Sequence, residues 1–351
     1  MKIGLVIYGS LDTLSGGYYY DRRLVDSLRG RGNDVVVYSL PWRNYAAHLA
    51  DNLRFRLPLG LDLLIQDELN HPSLLTANSQ PHPYPVVSLV HHLRSSEEHP
   101  GLVKALYRLV ERGYLRSVDG FVFNSKTTAK AVQSLAGETK PSLCAYPPTD
   151  RFGSPLAEGI VARRAACPGP LRVLFVGNVI RRKGLHTLVE ALARLPAGSA
   201  TLTVVGSLTP DPAYARKIRG LVASLGLMQS VSFRGILEDD SLRQAMQESD
   251  LLAVPSSYEG FGIVYAEGMG FGLPAIGTSA GAAGEAIEEA GSGYLIQPGD
   301  VTGLAERLAA LQSDRKLLGR LSLGALERYR RVSPWEKTAG EVHDFLQKMV
   351  S

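Results

Sequence analysis

Short apolar runs of strand length alternate along this chain with helix-length amphipathic stretches, and one segment rich in Pro and Gly interrupts the alternation. Parallel strands can be joined only by a crossover, so repeated strand–helix alternation predicts parallel sheets covered by helices on both faces. In the first half the apolar runs are residues 3–7, 34–38, 61–65, 86–90 and 120–123, with helical patterns at about 19–28 and 126–134. The stretch from Tyr146-Pro147-Pro148 to Cys167-Pro168-Gly169-Pro170 reads as a linker region. The rhythm then restarts, with strands at 172–176, 201–205, 231–234, 251–254 and 274–277 and helices at 185–195, 214–225, 242–248 and 264–270. A last amphipathic helix covers about 335–349. The reading is α/β, with two Rossmann-like halves, and 351 residues suit two domains of ~100–200 residues each.

Composition narrows the function classes. With 45% hydrophobic residues the chain is an ordinary globular one, and no stretch approaches the roughly 20 apolar residues of a spanning helix. Met1–Tyr8 reads as a first strand rather than a signal peptide, and two cysteines, Cys144 and Cys167, cannot build a disulfide scaffold. A reducing cytoplasm is therefore the expected location. The net charge of +4 is mild, and no nucleic-acid partner is expected.

The most informative stretch is Tyr258-Glu259-Gly260-Phe261-Gly262-Ile263-Val264-Tyr265-Ala266-Glu267, which follows a buried strand and opens a helix. Such junctions lie at the carboxyl edge of a parallel sheet, where these folds bind ligands. Gly260 and Gly262 allow close backbone approach, and the free amides from about Gly262 to Val264 can hold a pyrophosphate at the positive end of the helix dipole. Glu259 precedes the helix and Glu267 lies about one turn inside it, so both can face one ligand. Taken singly, Glu259 could be only a helix cap and Glu267 a solvated residue.

A second stretch, Phe175-Val176-Gly177-Asn178-Val179-Ile180-Arg181-Arg182-Lys183-Gly184, ends in three consecutive cations just before a helix. Cations there oppose the helix dipole unless an anion is bound.

Glu259 to Glu267, with Gly272-Leu273-Pro274-Ala275-Ile276-Gly277-Thr278, resembles the donor-site signature of the retaining GT-B glycosyltransferases of family 4, the glycosyl transferases group 1. The resemblance implies two Rossmann-like domains whose parallel sheets face each other across a cleft. Residues 1–150 would form the acceptor-side domain and 165–334 the donor domain, with 335–351 packing back on the first. It further implies transfer of a sugar (a hexosyl group) from a nucleotide-diphosphate donor to the hydroxyl of a glycan, glycolipid or small molecule, as in cell-envelope glycan synthesis, with retention by front-face attack. Glu259 would approach the transferred sugar, Phe261, Gly262, Ile263 and Val264 would hold the diphosphate, and Glu267 would bind the ribose.

Lys183 matches the family's phosphate lysine. Asn178 stands where the family usually has Arg, which leaves Arg181 or Arg182 to supply that contact. Gly17, in Ser15-Gly16-Gly17, resembles the glycine loop that faces the donor phosphates, although most such pairs are plain turns. His91 resembles the family's His at the end of the fourth strand; His92 is its rival by one register. Asp67-Glu68, also after a strand, could bind acceptor hydroxyls or serve only the fold. Neither a resident cofactor nor a metal is expected, since no Asp-x-Asp ends a strand.

Two rival activities share these motifs: hydrolysis or epimerisation of a nucleotide sugar, and donor binding without turnover. A nicotinamide dehydrogenase is disfavoured, because Gly9-Ser10-Leu11-Asp12 does not supply Gly-x-Gly-x-x-Gly after the first strand. Lys104, Arg108, Arg112 and Arg116 share one face of a helix at 102–115, opposite Leu102, Leu106, Leu109, Val110 and Leu115. That stripe either packs on the sheet or leaves the helix open to peripheral contact with the inner face of a membrane.

Overall fold

The computed structural model describes residues 1–137 and 139–351 and divides into two compact units, residues 1–148 with 334–351, and residues 149–333. The first unit carries β1 (Lys2–Tyr8), α1 (Gly16–Gly30), β2 (Asp34–Leu40), α2 (Tyr45–Asp51), β3 (Leu63–Asp67), α3 (His71–Asn78) and β4 (Val86–Val90). After these come α4 (Gly101–Ser117), β5 (Gly120–Phe123), α5 (Lys126–Ala136) and β6 (Ser142–Cys144). Its six strands form one parallel sheet in the order β2-β1-β3-β4-β5-β6.

Period-two alternation sends the β1 side chains to opposite faces of this sheet. Ile3, Leu5 and Ile7 join Leu24 and Val25 of α1 and Trp335, Val342 and Leu346 near the chain's end in one core. Val6 joins Leu64, Val86, Val90, Tyr114 and Phe121 in the other.

The second unit carries α6 (Glu158–Ala166), β7 (Leu171–Val176), α7 (Leu185–Leu192), β8 (Ala200–Val205), α8 (Pro212–Ser224), β9 (Val231–Gly235) and α9 (Asp239–Glu248). It continues through β10 (Leu251–Ala253), α10 (Ile263–Gly270), β11 (Ala275–Thr278), α11 (Ala283–Ala286), β12 (Gly293–Ile296), α12 (Val301–Ser313) and α13 (Arg315–Arg330). A second parallel sheet runs β12-β11-β10-β7-β8-β9. The final helix, α14 (Trp335–Val350), belongs to the first unit, where Tyr20 meets Trp335 edge-on at 5.2 Å.

Two sequence expectations change here. The Pro-rich stretch contains α6, and the second unit begins at Thr149 rather than at 165. Val161, Arg164 and Ala165 bury one face of α6, and the Arg164 guanidinium donates to the carbonyls of Phe271 (2.8 Å) and Gly272 (2.9 Å) behind α10. The Ser15-Gly16-Gly17 stretch is a helix start rather than a loop, with Ser15 Oγ accepting from the Tyr18 amide as N-cap. Among the described residues no helix is long and apolar enough to cross a membrane.

Candidate active site

In the second unit, the exits of two neighbouring central strands converge. After β7, Arg181–Lys183 form a short 3-10 turn that Gly184 ends with φ +68°. A Cβ on Gly184 would lie 2.0 Å from the Pro255 carbonyl oxygen, so only glycine lets this turn rest on the segment leaving β10. The contact is doubled by the backbone, where the Ser257 amide donates to Arg182 O at 2.8 Å.

The result is a tight charge cluster. Lys183 Nζ donates to Glu259 Oε1 at 2.5 Å, and Ser256 Oγ donates to the same oxygen at 2.6 Å. Arg182 donates to Tyr258 O at 2.8 Å and stands 3.9 Å from Glu259 Oε2. Burial alone would raise the pKa of Glu259, but Lys183 and Arg182, with the hydrogen bonds of Lys183 and Ser256, hold it down at about 2. The Glu259 backbone is pinned from behind by Gly281, whose Cβ would lie 2.1 Å from Glu259 O. Arg181, by contrast, is exposed. Of the two candidate arginines, Arg182 is thus committed to the Glu259 loop, and Arg181 is the one open to solvent.

Just beyond Glu259, Gly262 (φ +83°) begins α10. Gly262, Ile263 and Val264 are half-buried, whereas everything from Tyr265 to Gly270 is buried. The first amides of a helix lack intrahelical acceptors, so this partly open turn offers free N–H groups of the kind that hold anions. Phe261 is buried, which leaves only its backbone for any ligand contact. One turn inside α10, Glu267 is 5% exposed, and its carboxyl makes no hydrogen bond among the described residues. Its nearest cation is Arg151, at 3.9 Å, which also pairs with Asp239. Burial pushes the Glu267 carboxyl up to about 7, against the lowering effect of Arg151. A buried carboxyl with its acceptor sites unused suits a ligand hydroxyl.

The first unit gathers a different set. His91, directly after β4, lies against α1: a Cβ on Gly17 would sit 3.2 Å from its ring. His91 Nε2 is 2.9 Å from Oδ1 of the fully buried Asp21, which stands one helical turn after Gly17 on the same face. Burial would lower the pKa of His91; the Asp21 charge and hydrogen bond, with Asp67 and Glu68, outweigh that and raise it to about 9. The pairing with Asp21 favours the protonated ring. His92 turns away, its Nε2 lying 3.0 Å from Glu97.

Asp67 and Glu68 are both buried, and burial raises them to about 7 and about 8 respectively. Asp21, Asp67 and His91 each bring one ligand atom within 4.8 Å of the others, as do Glu68, His71 and Glu111. In the second set the protein already uses two of the three side chains: His71 meets Glu68 O and Tyr45 Oη at 3.0 Å each, and Glu111 accepts from the Ser95 amide, while Glu68 Oε1 has no hydrogen-bond partner among the described residues.

The structure therefore assembles Lys183, Arg182 and Glu259 with the turn at Gly262–Val264, and separately Gly17 with His91. Sequence reasoning missed Asp21, Ser256 and Arg151. A signal existed for Asp21, an acid among Tyr18, Tyr20, Leu24, Val25 and Leu28 on the buried face of α1.

Known proteins resemble this chain in sequence and in fold. Residues 162–328, which hold the whole Lys183–Glu267 cluster, match the model of the family "Glycosyl transferases group 1". A glycogen synthase of Mycobacterium tuberculosis is 28% identical over 324 residues, 88% of this chain and 74% of that protein. A D-inositol 3-phosphate glycosyltransferase of Xylanimonas cellulosilytica is 28% identical over 67% of this chain and 58% of its own length. Among solved structures, a sucrose-phosphate synthase from Thermosynechococcus elongatus superposes with a TM-score of 0.82 at 21% identity, covering 99% of this chain and 98% of that one. HepE of Anabaena, solved with UDP and glucose, gives 0.78 at 18% identity over 99% and 100% of the two chains. These likenesses make the fold GT-B, and over residues 162–328 the chain is similar to the glycosyl transferases group 1 family.

Proposed function

We propose that the protein is a retaining glycosyltransferase that moves a sugar from a nucleotide-diphosphate donor to an acceptor hydroxyl without a metal. The observation that carries this reading is the cluster of Lys183 and Glu259 beside the open first turn of α10, with the unsatisfied Glu267 one turn further on. In the proposal the amides of Gly262, Ile263 and Val264 and the Lys183 ammonium take the diphosphate. Arg181 adds charge, and Arg182 keeps Glu259 in place. Glu267 accepts the ribose hydroxyls. Negative charge builds on the diphosphate as the C1–O bond breaks, and fixed cations and amides stabilise that charge in the transition state. The acceptor oxygen attacks C1 from the face that the diphosphate leaves, and its proton passes to the departing phosphate oxygen. Lys183 thus does the work a metal would do elsewhere. In the first unit, His91 beside Gly17 is proposed to contact the reacting sugar or its phosphates as an imidazolium.

The partners in this reading are a nucleotide sugar, a hydroxyl acceptor and, by peripheral contact, a membrane. The test is thermal-shift screening with UDP-, GDP- and ADP-sugars, followed by acceptor screening with the donor that binds. Product formed only when acceptor is added supports glycosyl transfer. Nucleotide release without acceptor would replace it with hydrolysis, and binding without any product would make the protein a donor-binding module.

A further inference from the structure

The helix α4 buries only part of its apolar stripe. Tyr107, Val110, Glu111, Tyr114 and Leu115 face the core, while Leu102, Leu106 and Leu109 are 89%, 46% and 70% exposed. These three leucines follow one another at about one turn, so they form a continuous outward ridge. Exposed leucines scattered singly are ordinary; a ridge on one helix is an interaction surface.

On α4 itself the solvent-facing charge has one sign. Arg108 and Arg112 are exposed, and neither has an ion-pair partner among the described residues. Glu111, the only acid of α4, is fully buried. Between α4 and α5 lies a groove of about 410 Å³ lined by Ala105, Arg108, Leu109, Arg112, Leu135 and Gly137. Two arginines and aliphatic side chains line it together.

A second segment repeats this composition. Between α2 and β3, Leu53 and Leu59 are 80% and 83% exposed and Arg54 and Arg56 are exposed, while Phe55 and Leu57 pack into the core. Both segments border α3. Asn52 is bonded to Pro72 O and the Thr76 amide, and Gly113 of α4 abuts Leu75.

We propose that α4 and the 53–59 loop dock on an anionic lipid bilayer. The leucines would enter the headgroup region, Arg108 and Arg112 would bind lipid phosphates, and the groove would take one headgroup. Leucine and arginine on one solvent-facing surface match an interface that is anionic outside and apolar within. A second copy fits poorly, because a self-complementary contact would set these cations against their own likes. The proposal extends the membrane contact of the functional reading, and vesicle binding needs neither donor nor turnover, so the two can fail separately.

The test is co-sedimentation of the full chain with vesicles of phosphatidylcholine alone or mixed with phosphatidylglycerol. Binding is expected only to the anionic vesicles and should weaken as salt is added. Leu102→Ser with Leu109→Ser should reduce it by about tenfold or more, as should Arg108→Glu with Arg112→Glu. Melting temperatures of these variants check that they fold. Absence of binding to anionic vesicles, or folded variants that bind as tightly as the parent, would overturn the proposal. So would a dimer in solution that only these substitutions dissolve, since the face would then belong to a second copy.

Discussion

Removing the Lys183 ammonium should destabilise the second unit as well as impair catalysis, because Lys183 neutralises a carboxylate that is only 6% exposed. A carboxyl held at about 2 rather than near the ordinary ~4.3 represents about 3 kcal/mol of folding stability at neutral pH. Glu259 is too buried for solvent screening to discount this much. Arg182, 3.9 Å away, and Ser256 remain after the lysine is removed. Lys183→Ala should therefore lose about 2 kcal/mol, while Lys183→Ala with Glu259→Gln should recover part of it, giving a coupling of about 1–2 kcal/mol.

Tryptophan fluorescence reports on the wrong half, since Trp42 and Trp335 both lie in the first unit. Amide hydrogen exchange over residues 251–270 is the suitable assay. The pH dependence has a definite sign. A depressed acid stabilises fully above its unfolded pKa, so the difference between parent and Lys183→Ala should be constant above about pH 5. It should shrink as pH falls from about 4.3 toward 2. If the double variant is no more protected than additivity of the single variants predicts, the ion pair contributes nothing and the reasoning fails.

Other outcomes follow from the same geometry. Glu267→Gln should weaken nucleotide binding by about 1–3 kcal/mol in calorimetry. Because burial raises this acid to about 7, its ionisation opposes folding as pH rises from about 4.3 to 7, so the same variant should melt higher than the parent at pH 8. Asp21→Asn should let His91 titrate near the ordinary ~6.5 instead of about 9 in imidazole NMR. Gly281→Ala, with its Cβ 2.1 Å from Glu259 O, should cost more than about 1 kcal/mol and reduce turnover more than Gly220→Ala, which meets open space.

Most strands were legible in the sequence because those buried on both faces read as unbroken apolar runs; residues 86–90 and 120–123 match β4 and β5. The α6 helix was not, because Pro and Gly on either side hid the spacing of Val161, Arg164 and Ala165. Nor were α12 and α13, whose helical patterns carry no motif. Lys183, Glu259 and Glu267 stood out from local motifs. Their relations did not, since the Lys183–Glu259 pair spans 76 positions and Arg151 reaches Glu267 from the supposed linker. The α4 stripe shows the limit of periodicity. It located the helix, but two apolar faces compete for the core, and Tyr107, Val110 and Tyr114 displaced Leu102, Leu106 and Leu109.

The claim on which everything else rests is that the first turn of α10 and Lys183 receive the donor diphosphate. Titration of the amide-labelled protein with UDP, GDP and ADP, followed by TROSY NMR, observes that turn directly. At least one nucleotide should shift the amides of Gly262, Ile263 and Val264 together, and Lys183→Ala should weaken the response. A nucleotide that binds while those three amides stay unmoved would place the donor elsewhere and contradict the account.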